Sequence, residues 1–506
     1  MPFQRISLVA SPTNRGTNPD ASATKDQRFT NCYAQITKNA ITGKGNAVLI
    51  KRPGFSAANL ADATYQGGSG SILWTGSGSV GVFCFRESGN TLQVWRTSGT
   101  QVGTSISNIT GSMMLNETTL SGIATLTLVA TKSTTGRRHM WFYSVGDVAW
   151  TEVTDADFPS NQATPIDVVG NVVHMDGYAF IIDVKGNIWN SDLNSLANWT
   201  ITSFVNAQSF PDVGAGLARL KNYIVAFGLQ STEVFQNGGN ATGSPLTRIP
   251  SAATRIGSFR VAANNNEVIK EIGDSVYFFG IEQDSGRIGF YQMNGTAPQK
   301  ISNAAIDNLM AQYASSNQYG IAGAMQLNGM MHVILYNGAG TEIPAYCVDT
   351  GQWWYIDTGN SVVIEACLGF QSNTWFVTRT NGASEGRKLF TANANSPTYQ
   401  DNSVAFTMTA QLQELDFGTR KRKFFTSLEL VGDIRSTSGN TAVSWSDDDY
   451  VTYSTPTNID MSVTPPSRPR ITRLGSSRRR SFKITDAVNA PLRLEAIDLE
   501  FEMAAI

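Results

Sequence analysis

The stretch YAFIIDVKGNIW, residues 178–189, holds three signals in order: an apolar run, a polar turn and an aromatic anchor. The run over 178–184 has few polar positions to face water, so it reads as a strand covered on both faces. Lys185-Gly186-Asn187 is turn chemistry, which makes the run one arm of a hairpin whose other arm carries Ile188 and Trp189. The same phrase recurs along the chain. Its anchors are Trp95, Phe142, Trp189, Phe235, Tyr291, Tyr346 and Phe390, spaced by 47, 47, 46, 56, 55 and 44 residues. Each follows an apolar strand, at 81–85, 125–130, 178–184, 223–228, 275–280, 331–336 and 373–378.

A period of about 45–50 residues with several strands per unit is the size of one propeller blade. A blade is a small sheet covered on both faces by its neighbours, so it needs apolar strands and tight polar turns. Composition fits: 46 glycines, 41% hydrophobic and only 15% charged residues favour short strands over long charged helices. The expected fold is therefore mainly β, with a six- or seven-bladed β-propeller over residues 66–400. One helix interrupts it near 303–313, where Ile306, Leu309, Met310 and Tyr313 form an apolar stripe and Ser302 is the expected N-cap.

The ends read differently. Residues 1–65 are extended fragments and loops, and 401–506 alternate as a β-sandwich, most clearly in LRLEAIDLEFEM at 492–503. The expectation is a sandwich platform made by both ends (1–65 and 401–506), into which the propeller is inserted. Within it, Ser446-Asp447-Asp448-Asp449-Tyr450-Val451-Thr452-Tyr453 resembles an Asp-box hairpin with Tyr450 in the glycine position. Three carboxylates in a row raise the question of calcium. A turn that satisfies its own backbone is the preferred reading, ahead of a metal site or a catalytic pair.

Charge is divided along the chain. Residues 1–70 carry +5, 71–400 carry −6 and 401–506 carry −1. The last segment holds two basic clusters, Arg420, Lys421, Arg422 and Lys423, and Arg478, Arg479, Arg480 and Lys483. These are the candidate subunit or adaptor interface, since basic clusters meet acidic surfaces or phosphates. Cys32, Cys84, Cys347 and Cys367 lack zinc or redox spacing and read as buried thiols. His139, His174 and His332 are too few to favour a metal cage or a catalytic triad. No cofactor motif is found, no apolar run is long enough to span a bilayer, and residues 1–12 lack a signal core.

Several stretches taken in order resemble one family. They are NCYAQ at 31–35 with KRPGF at 51–55, DVGAGLARLKNYIVAFGLQSTEVFQNGG at 212–239, the hairpin and QKISNAAIDNLMAQY within 273–313, and the closing SWSDDDYVTYS and LRLEAIDLEFE. Together they resemble the nozzle, or packaged-DNA stabilisation, proteins of short-tailed bacteriophages. The resemblance implies a non-enzymatic virion protein of the tail, assembled in the host cytoplasm as a hexameric ring below portal and adaptor. It also implies contact with tail fibres or spikes, retention of the genome, and passage of DNA without sequence-specific binding. The competing readings are a receptor- or polysaccharide-binding propeller and a propeller glycosidase with paired carboxylates roughly 5–10 Å apart.

Overall fold

In the computed structural model, residues 3–9, 27–38, 45–61, 65–78, 80–87, 90–240, 242–259, 267–316, 319–337, 342–358, 362–370, 373–380, 388–393, 397–464 and 469–504 are described. The predicted phrase builds what its periodicity dictates. Tyr178–Asp183 pairs antiparallel with Asn187–Ser191, placing Ile181 opposite Trp189, and both residues are buried. Asp183 accepts from the backbone N–H groups of Lys185 and Asn187, which holds the turn. All seven aromatic anchors fall on the third strand of their unit: Leu92–Arg96, Arg137–Ser144, Asn187–Ser191, Thr232–Asn237, Ile288–Met293, Glu342–Cys347 and Lys388–Asn393.

Five sheets of three to five strands stand alone as blades, so the propeller has five separate blades rather than the six or seven expected. The anchors at Tyr346 and Phe390 mark two more units that do not separate. Their inner strands, Tyr319–Leu327 and Val362–Phe370, pair in parallel through Gly323 with Cys367 and Ala324 with Leu368. A Cβ on Gly323 would lie 2.0 Å from the Cys367 carbonyl oxygen, so only glycine allows the strands this close. Both units thereby join a 13-stranded sheet that also takes in Arg28–Thr30 and Ser56–Ala61 from the N-terminal segment. The inner strands still pack in a closed circuit. Tyr65–Trp74 meets Ile109–Leu120, then come Val168–Met175, Gly214–Leu220, Ile269–Ile272, Tyr319–Leu327 and Val362–Phe370, which returns to Tyr65–Trp74.

The chain ends meet in a second, seven-stranded sheet. There the last strand, Arg493–Met503, lies between Gly45–Lys51 and Lys423–Gly432 and also pairs with Phe3–Ser7. Its alternation behaves as the sequence implies, with Leu494, Leu499 and Phe501 buried and Glu495 and Glu502 exposed. This sheet and the strands Asn440–Ser446 and Ser481–Asp486 of the larger sheet share one core, including Leu428, Ile497, Val443 and Ile484. That core runs on without a break into Ile334 and Trp354 of the merged units.

The helix spans Ala304–Ser316 and packs on Ile288–Met293 and Tyr319–Leu327. Its N-cap is Asn303 rather than Ser302: the Asn303 side chain accepts from the Ile306 N–H at 3.0 Å. Ser302 Oγ is engaged instead by the Phe290 N–H and Asp307. Cys32, Cys84, Cys347 and Cys367 are free, buried thiols, and burial raises the pKa of each.

Candidate functional site

The two basic clusters, some 55 residues apart in sequence, form one surface. Lys423–Gly432 pairs with Ser476–Ser477, matching Lys423 with Ser477, so the residues on either side are brought together. Two members of the expected interface then turn inward. Lys423 is fully buried, and its Nζ donates to the carbonyls of Thr419 (2.6 Å), Lys421 (3.0 Å) and Arg478 (2.7 Å). Two of these bonds fold its own loop around it, and the third fastens that loop to the other cluster. Arg480 is buried too. Its guanidinium makes a two-point contact with Asp447, both bonds at 2.7 Å, and lies 4.1 Å from the Phe425 ring centre. Arg420, Lys421, Arg422, Arg478 and Arg479 remain exposed, with Arg479 bonded to Glu414 at 2.9 Å. Lys483 is half-buried with its ammonium 3.8 Å from the centre of the Tyr453 ring.

The Asp-box-like turn consumes its own carboxylates. Asp448 accepts from Ser446 Oγ, Thr452 N and Thr452 Oγ1, bonds that pull its pKa down to about 2, and Asp447 is held by Arg480. Asp449 and Tyr450 adopt φ of 60° and 68°, so the chain turns here without the glycine of the usual pattern.

A cavity of about 340 Å³ lies on the propeller axis, lined by the inner strands of the five blades. Its polar side chains stitch blade to blade. Asn116 donates to the Val172 carbonyl at 2.8 Å, and Asn171 returns to that of Leu115 at 3.3 Å. Arg219 donates to the His174 carbonyl from its side chain and to Glu271 from its backbone. Glu117 accepts from Thr75 N, and Glu267 pairs with Lys270 at 2.8 Å. His174 is buried against Thr127, and that burial lowers its pKa to about 3, so it stays neutral. Glu271 is open to the cavity yet surrounded by protein. This desolvation, reinforced by Glu267, raises its carboxyl to about 7. His139 and His332 lie elsewhere, against Thr135 and Trp354.

A third constellation had no assigned role in the sequence. KRPGF is a buried latch between the ends and the merged units. Arg52 grips Asp401 through both terminal guanidinium nitrogens (2.9 and 2.5 Å) and donates from Nε to Asn31 Oδ1. Asn31 passes the link on to the carbonyls of Asp357 and Thr407. Beside it, Lys51 and Arg435 both bond to Asp486, and all three side chains are fully buried. Gly54 sits where a Cβ would lie 2.1 Å from the Gln400 carbonyl oxygen.

A family model described as the bacteriophage P22 Gp10 β-propeller matches residues 43–335. No curated protein matches the chain. Among solved structures, a catalytically inactive virginiamycin B lyase from Staphylococcus aureus with quinupristin is 10% identical, covering 67% of this chain and 99% of that one at a TM-score of 0.39. The computationally designed Ika8 protein is 8% identical, covering 71% and 96% at a TM-score of 0.34. With more than half of its 506 residues matched, and with a ring of blades over that span, the chain belongs to the phage-stabilisation family of P22 Gp10 β-propeller proteins.

Proposed function

We propose that the chain forms the ring-shaped nozzle of a short phage tail, continues the DNA channel below portal and adaptor, holds the packaged genome and releases it at infection. The family match carries this reading, since it places the chain among phage virion structural propellers. In this proposal residues 1–65 and 401–506 are the platform, 66–400 the propeller, and several copies, six in the expected ring, enclose the bore. The cavity among the inner strands of one chain, about 340 Å³, is the size of a small-ligand site and does not pass a duplex. The conduit therefore requires a ring of copies.

The exposed residues Arg420, Lys421, Arg422, Arg478 and Arg479 are the proposed assembly surface, while Lys423 and Arg480 hold that surface in shape. The role is non-enzymatic. The axial carboxylates of Glu117, Glu267 and Glu271 are tied to Thr75, Lys270 and Arg219, which favours a structural duty over a paired acid and nucleophile. The test is negative-stain imaging of the purified chain, alone and with portal–adaptor complex. The reading expects a ring that adds length to the complex along its axis; a monomer that leaves the complex unchanged refutes it.

A further inference from the structure

The exposed basic surface carries an apolar residue at its centre. Phe424 stands between Lys423 and Phe425, both turned inward, and is itself 49% exposed. Arg420, Lys421, Arg422 and Arg478 form no ion pair among the described residues, and the face that carries Phe424 also carries the exposed Glu502 directly across the ladder. A solvated surface has no need of that aromatic, and exposed aromatics ringed by charge mark contact sites.

The same chain carries a surface of matching kind and opposite sign. Between residues 145 and 213 there are nine carboxylates and one cation, Lys185. Three of them, Asp155, Asp157 and Asp192, lie along Trp199–Asn206, the outermost strand of the third blade. Asp155 and Asp157 accept from the backbone N–H groups of Trp199 and Ile201 at 3.0 and 3.2 Å, and Asp192 accepts from Thr200 at 3.0 Å. These bonds fix three carboxylates beside Leu193 and Ile201, which are 57% and 51% exposed. The carboxylates also block the free edge of the strand, so a partner meets side chains there rather than adding a strand.

We propose that the basic surface around Phe424 docks on the acidic outer edge of the third blade of a second copy of this chain. This rests on the ring assembly proposed above and names the two halves of its interface. A closed ring needs two different patches on each protomer, each complementary to the other. Charge sets register and partner choice, while Phe424 against Leu193 and Ile201 supplies the apolar centre.

The experiment swaps the charges. One variant carries R420E, R422E and R478E; a second carries D155K, D157K and D192K; a third carries all six. Oligomer mass is measured against concentration by light scattering, and thermal melting checks that each variant folds. In either three-site variant the concentration for half-assembly is expected to rise by roughly 100-fold or more, because each close charge pair contributes about tenfold or more. The six-site variant is expected to recover assembly, since every interface again joins opposite charges. The parent ring should also weaken as salt rises. If the parent chain forms rings and the three-site variants form them equally well, this interface is wrong and the ring stands. If the six-site variant folds and stays apart, the pairing is refuted. A parent chain that is monomeric at every concentration overturns both the ring and the interface.

Discussion

Replacing Arg52 by Ala strips the buried latch of its cation and tests what joins the ends to the propeller. The structure defines what is lost: two bonds to Asp401, one to Asn31, and a guanidinium 3.9 Å from the Phe406 ring centre. What is left decides the magnitude. Asp401 is 4% exposed, and burial already raises its carboxyl above 3.8 even with Arg52 pulling it down. Without Arg52 the carboxyl rises further and takes up a proton. A group held protonated in the folded state costs about 1.4 kcal/mol for each pH unit above its unfolded pKa. The parent carboxyl already carries part of that cost, so the variant's loss is the remainder; it grows from pH 5 to pH 7 and is bounded by the ~3–5 kcal/mol of a broken buried pair.

The assay is urea unfolding at both pH values, followed by tryptophan fluorescence. Ten tryptophans share that signal, so hydrogen exchange of Gln352–Asp357, the strand that holds Trp354 against Tyr33, supplies the local readout where a multi-domain chain need not unfold in one step. The Arg52→Ala chain is expected to lose more stability at pH 7 than at pH 5. Adding Asp401→Asn is expected to recover part of the loss at pH 7, because the amide needs no proton. A loss equal at both pH values and below ~1 kcal/mol, with no recovery in the double variant, refutes the reasoning.

Glu271→Gln is expected to stabilise the propeller at pH 8 and leave it unchanged at pH 4.5. Its folded carboxyl sits at about 7 against 4.5 unfolded, so it favours the protonated fold below 4.5 and loses that contribution as pH rises through 7. The gain is about 1 kcal/mol once discounted for access from the cavity, read as a difference in melting temperature between the two pH values. Gly323→Ala is expected to destabilise the merged units by ~3 kcal/mol or more, since its Cβ would strike the Cys367 backbone carbonyl, a group that cannot rotate away. Hydrogen exchange would show it as lost protection across 319–327 and 362–370; unchanged protection there refutes it.

What the sequence made legible was local. The apolar strand, turn and aromatic repeat within a dozen residues, and all seven anchors landed on third strands. Blade separation was not local: the pairing of Gly323 with Cys367 spans a whole unit, and no residue near either signals a partner from the next sheet. The latch was hidden for the same reason, since Arg52 and Asp401 lie 349 residues apart. The misplaced helix cap is a finer miss, because Ser302 and Asn303 are both good caps and only the competing bond from Phe290 decides between them. Arg480 was readable. Arg480, Phe482, Ile484 and Asp486 occupy alternate positions of one strand and its edge, and all are buried; of the residues between them Lys483 and Thr485 are partly exposed and the small Ser481 is buried. Period two assigns Arg480 to the inner face, but the run of basic residues drew it to the surface group.

The junction also constrains how a ring built from this chain can change shape. The circuit of inner strands closes where Val362–Phe370 meets Tyr65–Trp74, and in the same unit Ser56–Ala61 pairs with Lys388–Asn393, so the N-terminal segment is fastened to the last unit at one seam. Near that seam lie three buried ion pairs, Arg52 with Asp401 and both Lys51 and Arg435 with Asp486. Separating any one leaves an unpaired buried charge, at ~3–5 kcal/mol each. Charge pairs between copies at a solvent-lined interface contribute less, on the order of 1–2 kcal/mol each, and respond to salt. A motion that widens a channel takes the softer route. In the proposed nozzle, opening is therefore a rearrangement between copies, at the surface around Phe424, with each platform and propeller moving as one body.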